Sequence, residues 1–145
     1  MMSFPDAVQA VLDRPFSRGG VCGEDCISLL YRIYPPCGVP LPESFAGWSR
    51  ADYAARYDAG ENVGDVLLDF LTSLGRPADE AHMVDGDLLI IQMLGARLPV
   101  LPAIYLGGGH LLVADEKYGV YVLPLRVLAA RIIGVRRLFG GAHGR

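Results

Sequence analysis

Apolar residues recur at helical spacing through the first half of this chain and bunch into strand-like runs in the second. Over Pro5 to Asp13, Ala7, Val8, Val11 and Leu12 fall on one face of a short amphipathic helix. Ile27, Leu30, Tyr31 and Tyr34 repeat that spacing in a helix from Cys26 to Tyr34. Asp25 is placed to cap its N-terminus, and Pro35-Pro36 stops it. A proline-rich loop covers Cys37 to Trp48. Ser49 stands three residues before Asp52, a capping-box pattern that starts a helix ending at Gly60. Val63, Val66, Leu67, Phe70, Leu71 and Leu74 form the cleanest helical stripe, closed by Gly75.

Beyond Gly75 the pattern changes. Asp87 to Met93 is nearly all apolar and branched, as a buried strand is. Ala103 to Leu106, three glycines, and His110 to Ala114 predict a hairpin. Asp115 to Gly119 reads as a second turn feeding a strand over Val120 to Leu123. Pro124 to Ile132 is expected as a short helix, Val135 to Phe139 as the last strand, and Gly140 to Arg145 as a loose tail. Helices first and antiparallel strands afterwards make an α+β fold, with helices packed on one face of a small sheet.

The length of 145 residues fits one domain, expected over residues 1–139, with 140–145 as the tail. With 52% hydrophobic residues, a core forms without staples. The net charge of −3 leaves no nucleic-acid footprint. Glu43 to Asp87 nevertheless holds ten acids and three arginines, whereas Arg126 to Arg145 holds five arginines and no acid. Two readings stand: solvated faces, or a docking edge meeting opposite charge on a neighbouring subunit. The N-terminus has no basic region followed by an apolar run, so no signal peptide is expected, and no apolar stretch reaches membrane-spanning length. Three cysteines, Cys22, Cys26 and Cys37, argue against a disulfide framework and for a reducing compartment.

Cys26 carries the candidate chemistry. It heads an apolar helix after a glycine-containing loop, where backbone N–H groups and the helix dipole favour a thiolate. The alternative is a small buried core residue. Cys22, Cys26, Cys37 and His110 do not match paired Cys-x-x-Cys knuckles, so no metal or cofactor is expected. Gly107-Gly108-Gly109 lacks the Lys and Ser/Thr of a phosphate loop and reads as a tight turn. Trp48, in a loop with Phe45, is either a lid over the core or an anchor for a partner.

Several segments resemble motifs of the NlpC-type cysteine peptidases, small papain-like enzymes that cut cell-wall peptides. Phe16-Ser17-Arg18-Gly19-Gly20 is similar to the family's aromatic-x-Trp-Gly-Gly stretch, and Asp25-Cys26 to its nucleophile motif. Cys37-Gly38-Val39-Pro40-Leu41-Pro42 resembles the glycine and proline segment that follows. Gly86-Asp87-Leu88-Leu89 resembles the Gly-Asp opening the first core strand, and Ala103 to Gly109 the Gly-Ile-Tyr-Leu-Gly hairpin. Val120 to Leu125 mirrors the strand after the turn, so the likeness runs from Arg14 to Phe139. The Gly19 to Cys26 loop and the helical insert between Ser49 and Gly75 look most like members carried by tailed bacteriophages and gene transfer agents.

The resemblance implies a catalytic Cys26, a histidine just ahead of the hairpin, and a polar orienting residue late in the next strand. Those two places hold Leu101 and Val113 here, and the family's tyrosine in the glycine motif is Phe16. Neither Leu101 nor Val113 accepts a proton. Three histidines could substitute: His82 in an acidic loop, His110 after the glycines, and His143 in the tail. If Val113 faces the site, Leu111 shares its face and His110 points away, unless a bulge reverses the parity.

Two functions are therefore expected. One is a tail-tip, baseplate or tail-assembly protein of a phage or phage-like particle, with a decayed peptidase site, docking other tail proteins. The other is an active peptidoglycan endopeptidase with Cys26 as nucleophile and His110 as recruited base, acting on stem peptides. The expected location is the host cytoplasm during assembly and then the virion tail, with no nucleic-acid partner and no membrane segment.

Overall fold

Ser3 caps the first helix: its hydroxyl accepts the Asp6 N–H, and α1 (Phe4–Val11) follows with Pro5 in its first turn. The computed structural model describes residues 1–17, 25–45, 47–95 and 98–140. Two compact units emerge from it, Met1–Val63 with Val113–Tyr121, and Gly64–Leu112 with Val122–Arg145.

In the first unit, α1 buries Phe4, Ala7, Val8 and Val11. It packs on α2 (Cys26–Ile33), which buries nearly every residue, Leu30 and Ile33 completely. α1 ends two residues earlier than the spacing predicts, because Asp13 turns to φ 68° and donates its N–H to Val120. After α2 a 3-10 turn (Pro35–Cys37) leads to a two-residue hairpin, β1 (Ser44–Phe45) and β2 (Trp48–Ser49), which the apolar pattern had not signalled. The Ser49–Asp52 capping box forms as expected and starts α3 (Arg50–Asp58). Over residues 113–121, the Asp115 carboxylate accepts the N–H groups of Lys117 and Tyr118 and the Tyr121 hydroxyl. Gly119 closes that turn at φ 71°, pressed against the Arg14 carbonyl, while Val120 N–H donates to the same carbonyl.

In the second unit, α4 (Gly64–Ser73) buries Leu67, Phe70 and Leu71, as its stripe predicts. Strands β3 (Arg76–Pro77), β4 (Leu88–Gln92), β5 (Val100–Gly107), β6 (His110–Asp115), β7 (Gly119–Pro124) and β8 (Ile132–Arg137) form a six-stranded sheet in the order β3-β8-β4-β5-β6-β7. The β3–β8, β8–β4, β4–β5 and β5–β6 pairs are antiparallel. Leu88 to Ile91 are buried on both faces, as in an interior strand of a sheet. The architecture is α+β, as expected.

Three boundaries differ from the apolar pattern. β5 starts at Val100 and runs through Pro102, a residue without the N–H that a ladder uses. The stretch from Pro124 to Ile132 forms two 3-10 turns (Leu125–Val127 and Ala129–Arg131) rather than a helix, since Leu128 is its one buried anchor. β8 starts at Ile132, three residues early, where pairing with β4 captures it across an irregularity at Ile90/Ile91.

Candidate functional site

Cys26 is the first residue of α2 and is 6% exposed. Asp25 caps the helix through one carboxylate oxygen, which accepts the N–H groups of Ile27 (3.1 Å) and Ser28 (2.7 Å). Ser28 Oγ accepts the Asp25 N–H in return, at 2.7 Å. This reciprocal cap is buried, with Asp25 4% and Ser28 2% exposed. It is the cap that the sequence predicts at Asp25. It engages two of the helix's first donors with the carboxylate of the residue next to the thiol.

The positions where the resemblance places a base and its orienting partner are hydrocarbon. Leu101 lies in β5 opposite Ile91, and Val113 lies in β6 with 1% exposure. Strand alternation puts Leu101, Ala103 and Tyr105 in one row, and pairing of Tyr105 with Leu111 adds Leu111 to the same face. Along β6, Leu111 and Val113 alternate with His110 and Leu112. An irregularity does occur beside the glycines, but it falls in β5, between Tyr105 and Gly107. β6 itself is unbroken, so His110 stays on the face opposite Leu111.

His110 is exposed, with its Nδ1 close over Gly108. It lines a hollow of about 480 Å³ with Gly108, Gly109, Pro124, Leu125 and Arg126. His82 is also exposed; its Nδ1 sits 2.9 Å from Asp79 Oδ2. The Ala81 N–H, and then His82, hold the Asp79 carboxyl below the usual range. Cys37 is a buried thiol in the 3-10 turn, and burial pushes it up. Cys22 and His143 lie outside the described residues. Among the described residues, no three His, Cys, Asp or Glu side chains converge as a metal site, and no helix is long and apolar enough to cross a membrane.

Trp48 is half-buried in β2, with the Arg56 guanidinium 4.5 Å from its ring centre. Of the C-terminal arginines, two serve the second unit from within. Arg137 forks onto the buried Asp87 carboxylate (Nε 3.0 Å, Nη2 2.8 Å). Arg136 donates to the carbonyls of Leu74 and Gly75. Among the described residues, Arg126 and Arg131 lie exposed on the 3-10 turns. The Asp87–Arg137 pair spans fifty positions, and only the Gly-Asp motif hinted at one half of it.

The sequence matches no family model and no curated protein. Solved structures do match. An NlpC/P60 family protein from Bacillus cereus superposes with a TM-score of 0.66 at 20% identity, over 94% of this chain and 40% of that one. The chain thus spans well under half of that protein's length. RipD from Mycobacterium tuberculosis, described as a non-catalytic NlpC/p60 domain protein adapted to peptidoglycan binding, gives 0.59 at 20% identity, over 96% of this chain and 100% of that one. The NlpC/p60 domain of the peptidoglycan hydrolase SagA gives 0.60 at 18% identity, over 92% and 95%. The fold is therefore the NlpC/P60 papain-like fold expected from the motifs.

Proposed function

We propose that this NlpC/P60-fold chain is a non-catalytic structural and interaction component, working at the tail tip or in tail assembly of a phage or phage-like particle. The observation that carries the non-catalytic part is hydrocarbon at Leu101 and Val113, where a papain-like site needs a proton carrier and its orienting group. The Asp25 cap adds to it by engaging the N–H groups of Ile27 and Ser28. RipD offers a precedent: the same fold, described as non-catalytic and adapted to peptidoglycan binding. The tail context rests on the likeness of the insert between Ser49 and Gly75, which folds as α3 and α4. Other tail proteins are the proposed partners, with peptidoglycan stem peptides as a second ligand. The host cytoplasm and then the virion tail are the proposed locations.

The endopeptidase reading keeps one supporting observation, a cysteine heading the buried helix. In that reaction the Cys26 sulfur attacks a peptide carbonyl after losing its proton to a base. The amine leaves with a proton, and water then cleaves the acyl-thioester.

Incubating peptidoglycan fragments with the purified chain and with Cys26→Ala separates the two. The proposal expects no released stem peptide from either; release by the native chain that is abolished in Cys26→Ala overturns it. Particles carrying Cys26→Ala are expected to assemble and infect normally. Charge reversal at Arg126 and Arg131 is expected to lower incorporation into tails, and unchanged occupancy would remove the docking edge.

A further inference from the structure

The β5–β6 turn is built from glycines with positive φ: Gly107 at 84°, Gly108 at 59° and Gly109 at 79°. Side chains rarely tolerate such a left-handed run, and its consequence is bare backbone at the hairpin tip. The tip is tied down at both groups of Gly109. Its N–H donates to Tyr105 Oη (3.2 Å), and its carbonyl accepts the Leu125 N–H (2.8 Å). The second bond brings the 3-10 turn Leu125–Val127 beside the hairpin, and residues of both line the 480 Å³ hollow.

Two basic side chains reach this hollow, His110 and Arg126, which lie sixteen positions apart in sequence and in different elements. Among the described residues neither has a hydrogen-bond or ion-pair partner, and no acid lines the hollow. Asp85 approaches Gly107 but is not part of the lining. Pro124 and Leu125 supply apolar wall. We infer that this hollow binds an oxyanion, a carboxylate or a phosphate, held between the His110 imidazole and the Arg126 guanidinium with any apolar portion against Pro124 and Leu125. A guanidinium offers a planar fork of donors that matches two anion oxygens. The tethered turn holds the two basic groups' backbones in place before the ligand arrives. Leu101, at the family's base position, stands six residues up β5, about 20 Å away at strand rise. The inference therefore does not depend on whether Cys26 reacts.

The test is an amide and imidazole NMR titration of the full chain with propionate, inorganic phosphate and propionamide. An oxyanion is expected to move the Gly108, Gly109 and His110 signals saturably, with a Kd on the order of millimolar for so exposed a site. Propionamide, equal in shape but neutral, is expected to move none of them. Arg126→Gln and His110→Gln are each expected to weaken binding about five- to tenfold, and Arg126→Lys less, since charge without the fork remains. Tighter propionate would assign the site to organic carboxylates, and tighter phosphate to phosphoryl ligands; both support it. No saturable shift with either anion, an equal response to propionamide, or native affinity in both Gln variants overturns it. The three-probe comparison on the native chain decides even where a variant folds poorly.

Discussion

Asp87→Ala tests the physical account of the second unit most directly. The Asp87 carboxylate is 1% exposed and accepts three N–H groups: Val84 at 2.9 Å, Arg137 Nε at 3.0 Å and Arg137 Nη2 at 2.8 Å. Those bonds also hold the Arg137 guanidinium above its ordinary range. Removing one partner of a fully buried ion pair costs about 3–5 kcal/mol. The Arg137 side chain is 21% exposed and keeps its bond to the His82 carbonyl, so part of the abandoned cation is hydrated. That discount brings Asp87→Ala to about 3 kcal/mol, including the orphaned Val84 N–H. Arg137→Met should cost more, about 4 kcal/mol, because the carboxylate it abandons has no route to water. The double variant should fall short of the summed singles by about 2 kcal/mol. Urea unfolding measures this as a drop of about 1–2 M in midpoint for Asp87→Ala at unchanged slope. A loss below about 1 kcal/mol, or strictly additive singles, would refute the reasoning.

Two further predictions concern the first unit. Burial, and then the Asp115 carboxylate, push the Tyr121 hydroxyl well up, and burial raises Tyr31 and Cys37. A raised acid favours the protonated folded state, so this stability is fully present below the unfolded values of about 8.5 for Cys and 10 for Tyr and is lost as pH climbs beyond them. The urea midpoint should therefore decline above about pH 9, less steeply in Tyr121→Phe; a midpoint that rises there contradicts the account. Gly119→Ala would place a Cβ 2.3 Å from the Arg14 carbonyl oxygen at φ 71°, and should lower stability by about 2 kcal/mol or more. An unshifted thermal midpoint would show that the Arg14 segment is not held there.

The elements legible from sequence are those whose causes lie within a few residues. Asp25 ahead of Cys26, the Ser49–Asp52 box, the stripe closed by Gly75 and the glycine hairpin each declare themselves by spacing, because caps, periodicity and positive φ are short-range physics. Hydrocarbon at the two positions that the family resemblance singles out is equally legible. Leucine at 101 and valine at 113 cannot carry a proton in any fold. Tertiary packing decided the rest. β5 accepts Pro102 and β8 begins at Ile132 because pairing with β4 outweighs local preference. Arg137, outwardly one of a row of surface cations, turns inward to a carboxylate fifty positions away. His110, sixteen positions from Arg126 in sequence, shares a hollow with it. Those outcomes depend on which groups meet across long stretches of chain, and single-residue spacing holds no record of such meetings.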